Sequence, residues 1–282
     1  MRYIDYAECT LCALTSRLSE LKKFNRDSEE SVRRILVRVT SDLPKGRSIM
    51  FVNSFEELAS IVGSEDPYSD EKARYEGIAR GMLVPRLIGM SEVELVKVAA
   101  AANSVDVAMF NYVFNEEMLI HGINEEPVWL GIDEPRLADV INSASNVTYI
   151  VDNAGEFAID SLLIGKLATH SRVTVVARLK PYETDVTYGY VRDVLKVNGV
   201  NVVTTGDRYP AFLSNKVYDK YINGSDLVIS KGVGNFEAYL ETGRRHPNAL
   251  FLFRVKCNPL RRMLNVEFNK PVILHSSYLN QL

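Results

Sequence analysis

Hydrophobic and polar positions follow different patterns in the two halves of the chain. Up to about residue 145 the apolar residues recur at the spacing of an amphipathic helix, in several segments of medium length. Capping signals open these segments: Ser91 and Glu94 form a capping-box pattern, and Asp133 is followed within two residues by a proline. The first half is therefore predicted to be an all-helical region.

After residue 145, β-branched apolar runs alternate with helical segments. Six strands are predicted, in "VTYIVDN", "RVTVVAR", "VNVVTTGD", "SDLVISKG", "ALFLFRVK" and "PVILHSS". Near-continuous apolar strands separated by helices are typical of a mostly parallel sheet that is covered on both faces. We predict an α/β fold: a three-layer, Rossmann-like catalytic domain over residues 146–282, with a helical region over residues 1–145 that covers the active site.

Composition narrows the class of protein. The chain has 282 residues, of which 46% are hydrophobic and 24% charged, and this is ordinary for a globular protein. The formal net charge is -3 and the basic residues are not grouped in runs, so neither nucleic acid nor an anionic membrane is the expected partner. No long apolar window and no signal-peptide pattern is present, which predicts a cytoplasmic protein acting on a small molecule, with a homo-oligomer left open.

Polar residues follow five successive predicted strands. In an open parallel sheet the loops at the carboxyl ends of the strands converge on one crevice, where ligands bind. The residues at these ends are, in strand order, Asp152, Asn153 and Glu156; Arg178, Lys180, Glu183 and Asp185; Asp207 and Arg208; Lys231 and Asn235; Lys256 and Cys257.

This set of residue types suits metal-assisted phosphoryl chemistry. Carboxylate and amide oxygens, as on Asp152, Asn153 and Asp185, are hard ligands for divalent ions, whereas lysines such as Lys231 and Lys256 suit phosphate. Any one of these acids taken alone is more simply explained as a helix cap. The agreement of several loops favours a site.

Glycine-rich cofactor loops are lacking at the same positions. A dinucleotide site needs a glycine fingerprint after the first strand, and "DNAGEF" has one glycine. "KGVGNFE" has two glycines but neither the Walker spacing nor a terminal Lys-Ser/Thr pair. Neither segment is a cofactor loop by its sequence.

Four segments in order, "DNAGEFAID", "KPYETDVT", "SDLVISKGVGNFEAY" and "RVKC", resemble the DUF89 family, also called the damage-control phosphatase family. "ECTLC" and "DPYSDEKARY" resemble its prokaryotic branch, and the likeness extends over nearly the whole chain. The resemblance implies a metal-dependent phosphatase for phosphorylated small metabolites. It also implies a divalent metal cofactor, Mg, Mn, Co or Ni.

The resemblance also assigns roles to individual residues. Asp152 and Asn153 match the family's metal-binding pair, Asp185 matches its third ligand, and Lys231 matches the lysine at the phosphate. Glu156 is added as a residue that positions water or accepts a proton. These five residues form the predicted catalytic set.

Further residues are assigned to substrate binding or stand where this chain departs from the family pattern. The predicted substrate-binding residues are Asn103, Asp106, Arg178, Lys180, Asn235 and Lys256. Asn103 and Asp106 resemble a GNxxD-like motif in which Ala102 replaces the glycine. Arg254 stands in "RVKC" where lysine is common, a change that keeps the charge but alters the geometry offered to phosphate.

Three cysteines allow two interpretations. Cys9 and Cys12 share a helix face, and Cys257 follows a strand that ends in the crevice. A second, thiolate metal site is one hypothesis, although zinc usually takes a fourth ligand. Three buried, apolar thiols are the other.

The leading functional hypothesis is hydrolysis of phosphomonoesters, such as sugar phosphates, phosphopantetheine-like compounds or nucleotides, by metal-activated water. One alternative is an S-adenosylmethionine-dependent methyltransferase, which shares the alternating α/β plan but expects an acid after the second strand, where Arg178 and Lys180 stand. The other is a non-catalytic protein that binds a metal or a metabolite. It predicts tight binding without turnover.

Overall fold

The computed structural model describes residues 5–102 and 122–281. The first range is helical, and a π-helical turn at Ala79–Leu83 joins its fourth and fifth helices. The helices are α1 Tyr6–Lys23, α2 Glu29–Asp42, α3 Arg47–Val62, α4 Ser69–Ile78, α5 Val84–Leu87 and α6 Glu92–Ala101. No helix within the described residues is long and apolar enough to span a membrane.

The second range forms the α/β part. Its strands are β1 Val128–Leu130, β2 Asn146–Ile150, β3 Arg172–Ala177, β4 Val200–Thr204, β5 Leu227–Lys231, β6 Ala249–Arg254 and β7 Pro271–His275. Its helices are α7 Glu134–Ser143, α8 Glu156–Leu167, α9 Tyr188–Val194, α10 Asn215–Val217, α11 Val233–Thr242 and α12 Asn258–Leu264. The described strands form one seven-stranded sheet in the order β1-β7-β6-β5-β2-β3-β4.

The sheet is buried on both faces. Successive strand residues point to opposite sides, so in β6 Leu250 and Leu252 face one core while Phe251 and Phe253 face the other. Residues of α6, α7 and α8 complete the first core, and residues of α11 and α12 complete the second. The predicted α/β fold, with a mostly parallel sheet and an N-terminal helical region, is confirmed.

The sheet has two features that the hydrophobic pattern did not predict. β7 runs antiparallel to β6, and β1, which lies before residue 146, pairs parallel with β7 at the edge of the sheet. A run of three residues, Val128–Leu130, is too short to show a period, so only its pairing identifies it as a strand. The predicted boundary near residue 145, between the helical region and the α/β domain, stays a prediction. The strand β1 lies on the N-terminal side of that boundary but belongs to the sheet.

The helix α6 links the helical region to the centre of the sheet. Its N-terminus has the predicted capping box, in which Ser91 N donates to Glu94 Oε2 at 2.7 Å and Glu94 N donates to Ser91 Oγ at 3.3 Å. At its C-terminus the carbonyl of Ala99 accepts from Lys231, and that of Ala101 accepts from Arg254. Buried cations thus satisfy carbonyls that the end of a helix leaves unpaired.

Removing the capping box tests the contribution of α6 to stability. We expect Ser91→Ala to lower the free energy of unfolding by about 1 kcal/mol, because the backbone N–H of Glu94 loses its acceptor. Urea unfolding followed by circular dichroism measures the change. Ser41→Ala, at an exposed serine inside α2, is the control. Equal stability of the two variants would contradict the expectation.

Candidate active site

The central feature of the sheet is the reversal of strand order at β2. The chain leaves β2 to build β3 and β4 on one side and then places β5 and β6 on the other. The carboxyl ends of β2 and β5 therefore border the crevice that such a reversal creates. Gly232 follows β5 with a φ of +78°, and a Cβ added to it would lie 2.0 Å from Asp152 Oδ2. Only a glycine lets the two strand ends approach this closely.

The loop after β3, residues 178–187, meets the end of β2 through its backbone. Asn153 and Asp185 form an isolated antiparallel bridge, and Val186 N donates to the carbonyl of Asp152 at 2.9 Å. Thr184 Oγ1 donates to Asn153 Oδ1 at 2.7 Å. The three predicted metal ligands are therefore brought together by bonds between their own segments.

Arg178 supplies positive charge at this point. Its Nε donates to Asp185 Oδ2, and its guanidinium lies 4.4 Å from the centre of the Tyr182 ring. Its NH2 lies 4.0 Å from the position of a Cβ on Gly234, in the first turn of α11. Burial raises the pKa of the Asp185 carboxyl, and the attraction of Arg178 acts in the opposite direction.

Lys231 is completely buried behind the crevice. Its Nζ donates to the carbonyl of Ala99 at 2.7 Å and lies 2.9 Å from Glu156 Oε2 and 3.2 Å from Asp160 Oδ1. Tyr149 OH donates to the same Asp160 oxygen at 2.7 Å. Burial raises the pKa of Asp160 to about 6 despite the attraction of Lys231. Burial also acts to lower the pKa of Lys231, but the two carboxylates outweigh it and raise that pKa.

These contacts differ from the expectation that Lys231 faces a phosphate. An ammonium group has three donors, and each of the three acceptors around Lys231 belongs to the protein. The reason is the alternation of β5, in which Leu227, Ile229 and Lys231 point to the same face, towards α6 and α8. Direct contact of Lys231 with phosphate stays a prediction.

Glu156 lies between Lys231 and the end of β2. Its Oε1 accepts from Asn153 Nδ2 at 2.9 Å, and the same nitrogen donates to Asp152 Oδ2 at 2.8 Å. Glu156 is fully buried, so its contacts orient the Asn153 amide. A role in proton transfer stays a prediction.

Glu76 of α4 is part of the site and carried no signal in the sequence. Its Oε1 accepts from the backbone N–H of Gly155 at 2.9 Å, where α8 begins. Its Oε2 accepts from Tyr190 OH at 2.9 Å and pairs with Arg80 at the same distance. A carboxylate at a helix N-terminus is favourable, so Glu76 stabilises the start of α8.

Comparison with known proteins identifies the family of the chain. A family model described as "Damage-control phosphatase ARMT1-like domain" matches residues 6–271. The chain belongs to the damage-control phosphatase family. It is 28% identical over 238 residues to Damage-control phosphatase PH1575 of Pyrococcus horikoshii, covering 79% of each chain. It is 29% identical over 220 residues to a Damage-control phosphatase of Archaeoglobus fulgidus, covering 73% of this chain and 74% of the relative.

A solved structure is similar over almost the entire length. The crystal structure of the DUF89 family protein PH1575 superposes with a TM-score of 0.79 at 25% identity, covering 95% of this chain and 98% of the other. The resemblance to the DUF89 family that the motifs indicated is confirmed.

The oxygen-bearing side chains of this damage-control phosphatase fit a divalent cation. Asp152, Asn153 and Asp185 offer two carboxylates and an amide from segments that are bonded to each other. The Asn153 nitrogen donates to both Asp152 and Glu156, which fixes the orientation of the amide. Its oxygen accepts from the Thr184 hydroxyl, and an amide oxygen has a second lone pair that a cation can use.

The predicted substrate-binding residues have different locations. Asn103 and Asp106 lie outside the described residues. Lys180 is exposed, and among the described residues no hydrogen bond or ion pair joins its side chain to Asp152, Asn153 or Asp185. The assignment of these three residues to substrate binding stays a prediction.

Asn235 and Arg254 have structural contacts. Asn235 Nδ2 donates to the carbonyls of Val151 and Lys231 at 3.3 and 3.0 Å, which ties the end of β2 to that of β5. Arg254 donates to the carbonyls of Ala101 and Gly122, on either side of the segment outside the described residues. Its fork of donors suits this bridging, which the single ammonium of a lysine could not reproduce.

The three cysteines line one pocket together with Lys256 and Arg47. Its volume is about 510 Å³, and it lies between α1 and the segment after β6. Cys9 is buried, Cys12 is exposed and Cys257 is half-buried. No group of three or more His, Cys, Asp or Glu side chains in the described ranges is arranged to hold a metal ion. The thiolate metal site therefore stays a hypothesis. Lys256, a predicted substrate-binding residue, lies in this pocket, and its role stays a prediction as well.

The contact between Gly232 and Asp152 can be tested by adding one methyl group. We expect Gly232→Ala to lower the free energy of unfolding by about 2–4 kcal/mol, because its Cβ collides with the Asp152 carboxylate and its φ is positive. The matched control is Gly46→Ala, because Gly46 (φ +102°, ψ +160°) has the same kind of backbone as Gly232 (φ +78°, ψ +157°) and its added Cβ would meet nothing closer than 3.9 Å, so this variant carries only the backbone strain. In the Asp152→Ala background the cost at Gly232 should fall to that of the control. A cost that does not depend on residue 152 would contradict the collision.

Removing the buried lysine tests the charge balance behind the crevice. We expect Lys231→Met to lower the free energy of unfolding by roughly 3–5 kcal/mol at pH 8, because Glu156 and Asp160 then lack a cation. The pKa of Asp160 is raised to about 6 in the folded protein. At a pH between the unfolded and the folded pKa, the folded protein therefore keeps a proton on Asp160 that the unfolded chain has lost. Stability therefore falls as pH rises between about 4 and 6. The variant's loss should be smaller at pH 5, where the Asp160 carboxyl can be neutral.

Urea unfolding at pH 5 and pH 8 measures this difference. Lys216→Met, at an exposed lysine, is the control and should show no loss at either pH. An equal loss at the two pH values for Lys231→Met would show that the carboxylates do not depend on the lysine.

Proposed function

We propose that this damage-control phosphatase family member is a metal-dependent phosphatase that hydrolyses phosphomonoesters of small metabolites. The observation that carries the proposal is the meeting of Asp152, Asn153 and Asp185 at the reversal of strand order, with Arg178 beside them. The names of the relatives, damage-control phosphatases from two archaea, support the same activity.

Asp152, Asn153 and Asp185 would hold the divalent ion. Such an ion supplies positive charge to the phosphoryl oxygens and lowers the pKa of the attacking water. The two carboxylates come from different connections of the sheet, and the backbone bridge between Asn153 and Asp185 joins the segments that carry them. This preorganisation is what a transition state with developing charge requires.

Arg178 is the cation that the described geometry presents to the phosphoryl group. Its guanidinium is near Asp185 and Asp152, and its NH2 lies 4.0 Å from the position of a Cβ on Gly234, in the first turn of α11. Its Nε and NH1 donate to Asp185 and to the carbonyl of Arg208, so we assign NH2 to a phosphoryl oxygen, as a charge-assisted hydrogen bond. We therefore assign charge neutralisation to Arg178, and to Lys231 the indirect role of holding Glu156.

Glu156 and Lys231 position Asn153 from behind the crevice. Glu156 accepts from the Asn153 amide on one side and pairs with Lys231 on the other. Partners of this kind orient ligands and tune their basicity. Accepting a proton from water remains part of the proposal for Glu156, which contacts the Asn153 amide from behind the crevice.

The helical region contributes to the same site. Glu76 binds the first N–H of α8, and Lys72 donates to the carbonyl of Asp185 at 3.4 Å. We infer that residues 1–145 cover and complete the site, and that residues 146–282 carry the ligands. The substrate range then depends on both parts.

A phosphatase screen with a matched variant tests the proposal. The wild-type chain is assayed against sugar phosphates, phosphopantetheine-like compounds, nucleotides and a generic aryl phosphate, with Mg, Mn, Co or Ni and with a chelator. We expect turnover only with a metal. We expect Asp152→Asn to lower turnover by at least about 100-fold, because removing a residue that only hydrogen-bonds to a metal ligand already costs up to that factor. Asp193→Asn, on the exposed side of α9, should retain full activity.

Other outcomes distinguish the rival functions. Binding of S-adenosylmethionine without a metal, and no phosphate release, would overturn the proposal in favour of a methyltransferase. Tight metal or metabolite binding without turnover of any compound would indicate a non-catalytic binding protein. Full activity of Asp152→Asn would place the site elsewhere in the chain.

A further inference from the structure

Arg17 of α1 is a charged side chain in the interior of the helical region. It is completely buried, its Nε donates to Ser54 Oγ at 3.1 Å, and its guanidinium lies 5.4 Å from the centre of the Phe55 ring. Its two terminal nitrogens donate to Glu20 and to Glu183. A buried guanidinium is costly unless it is paired, so its partners are held firmly.

The partner Glu183 belongs to the loop after β3, 166 positions away in the chain. Its φ is +41°, in the left-handed region that residues other than glycine seldom adopt. Such a backbone persists only where surrounding contacts impose it. The ion pair with Arg17 is a contact that can do so.

The four residues from Tyr182 to Asp185 are each anchored on a different neighbour. The Tyr182 ring packs edge-on against Phe55 at 5.2 Å, and Glu183 pairs with Arg17. Thr184 and Asp185 then point the other way, to Asn153 and Arg178. The loop therefore connects the helical region on one side with the predicted metal ligands on the other.

We infer that Arg17, through Glu183, is a positioning residue that holds Thr184 and Asp185 in the geometry for binding the metal. This inference rests on the proposed function for its consequence, metal affinity, but not for the contact itself. The helical region is then a template for one metal ligand as well as a cover. Two other cations assist, since Arg208 Nε donates to the carbonyl of Pro181 at 2.8 Å and Lys72 to that of Asp185.

The experiment removes the pair from the loop side, where the residue is partly exposed. Glu183→Gln keeps the shape of the side chain and removes its charge. The matched control is Glu57→Gln, which removes an ion pair with Arg34 inside the same helical region, at 2.6 Å and away from the loop. Both variants are first shown to be folded by circular dichroism.

Hydrogen exchange in the full-length, metal-free chain is the first measurement. The amides of Asp185 and Val186 donate to the carbonyls of Tyr182 and Asp152, and so report whether the loop is closed. For the peptide covering residues 182–187 we expect exchange at least about tenfold faster in Glu183→Gln than in wild type, and unchanged in Glu57→Gln.

The affinity for Mn²⁺, measured by the paramagnetic resonance of the free ion, is the second measurement. We expect the dissociation constant to rise roughly 10–100-fold in Glu183→Gln and to stay constant in Glu57→Gln. Glu183→Gly removes the strain of the positive φ together with the anchor. If the pair served only to offset strain, this variant would bind Mn²⁺ like wild type; we expect it to behave like Glu183→Gln.

Unchanged exchange of this peptide, or an unchanged Mn²⁺ affinity in Glu183→Gln, would overturn the inference. Neither measurement uses turnover. A wild-type chain that binds Mn²⁺ through Asp152 but hydrolyses no phosphomonoester would therefore refute the proposed function and leave the role of Arg17 supported by its own two results.

Discussion

The carboxylate of Asp152 lies against the backbone of Gly232, with no space for a side chain between them. This contact exists because β2 and β5 are neighbours in the sheet although more than seventy residues separate them in sequence. It fixes where the β2 carboxylate points, and the loop after β3 then bonds to the same segment through Val186 N and Asp185. Three connections of the sheet thus meet at one point.

Buried charge organises the surroundings of that point. Lys231, Arg178 and Arg17 are all buried, and each is paired with at least one carboxylate. Because a charge in the interior is stable only with partners in good geometry, each cation restricts the carboxylate that faces it. Lys231 restricts Glu156 behind Asn153, and Arg17 restricts the loop that carries the third predicted ligand. The polar groups of the site are thereby held from more than one side.

The sequence supported some parts of this picture better than others. The apolar alternation after residue 145 predicted the main strands, and with them the location of Asp152 and Asn153 at a strand end. It missed β1, whose three residues show no period, and it could not show that Lys231 pairs with Glu156 on the face of β5 that points towards α6 and α8. Arg17 and Glu76 carried no signal at all, because a charged residue within an amphipathic helix normally faces solvent.

Taken by itself, the sequence determined the α/β class, the strand ends that bear carboxylates and amides, and the family, since these depend on local periodicity and on short ordered motifs. The tertiary structure alone decided which charged side chains are buried and which groups they contact. Arg17 and Glu183 are 166 positions apart, and nothing local to either one selects the other. Such a pair forms only when the packing of α1 against the loop after β3 removes Arg17 from water and brings the half-buried Glu183 to it, because a buried guanidinium is stable only when it is paired.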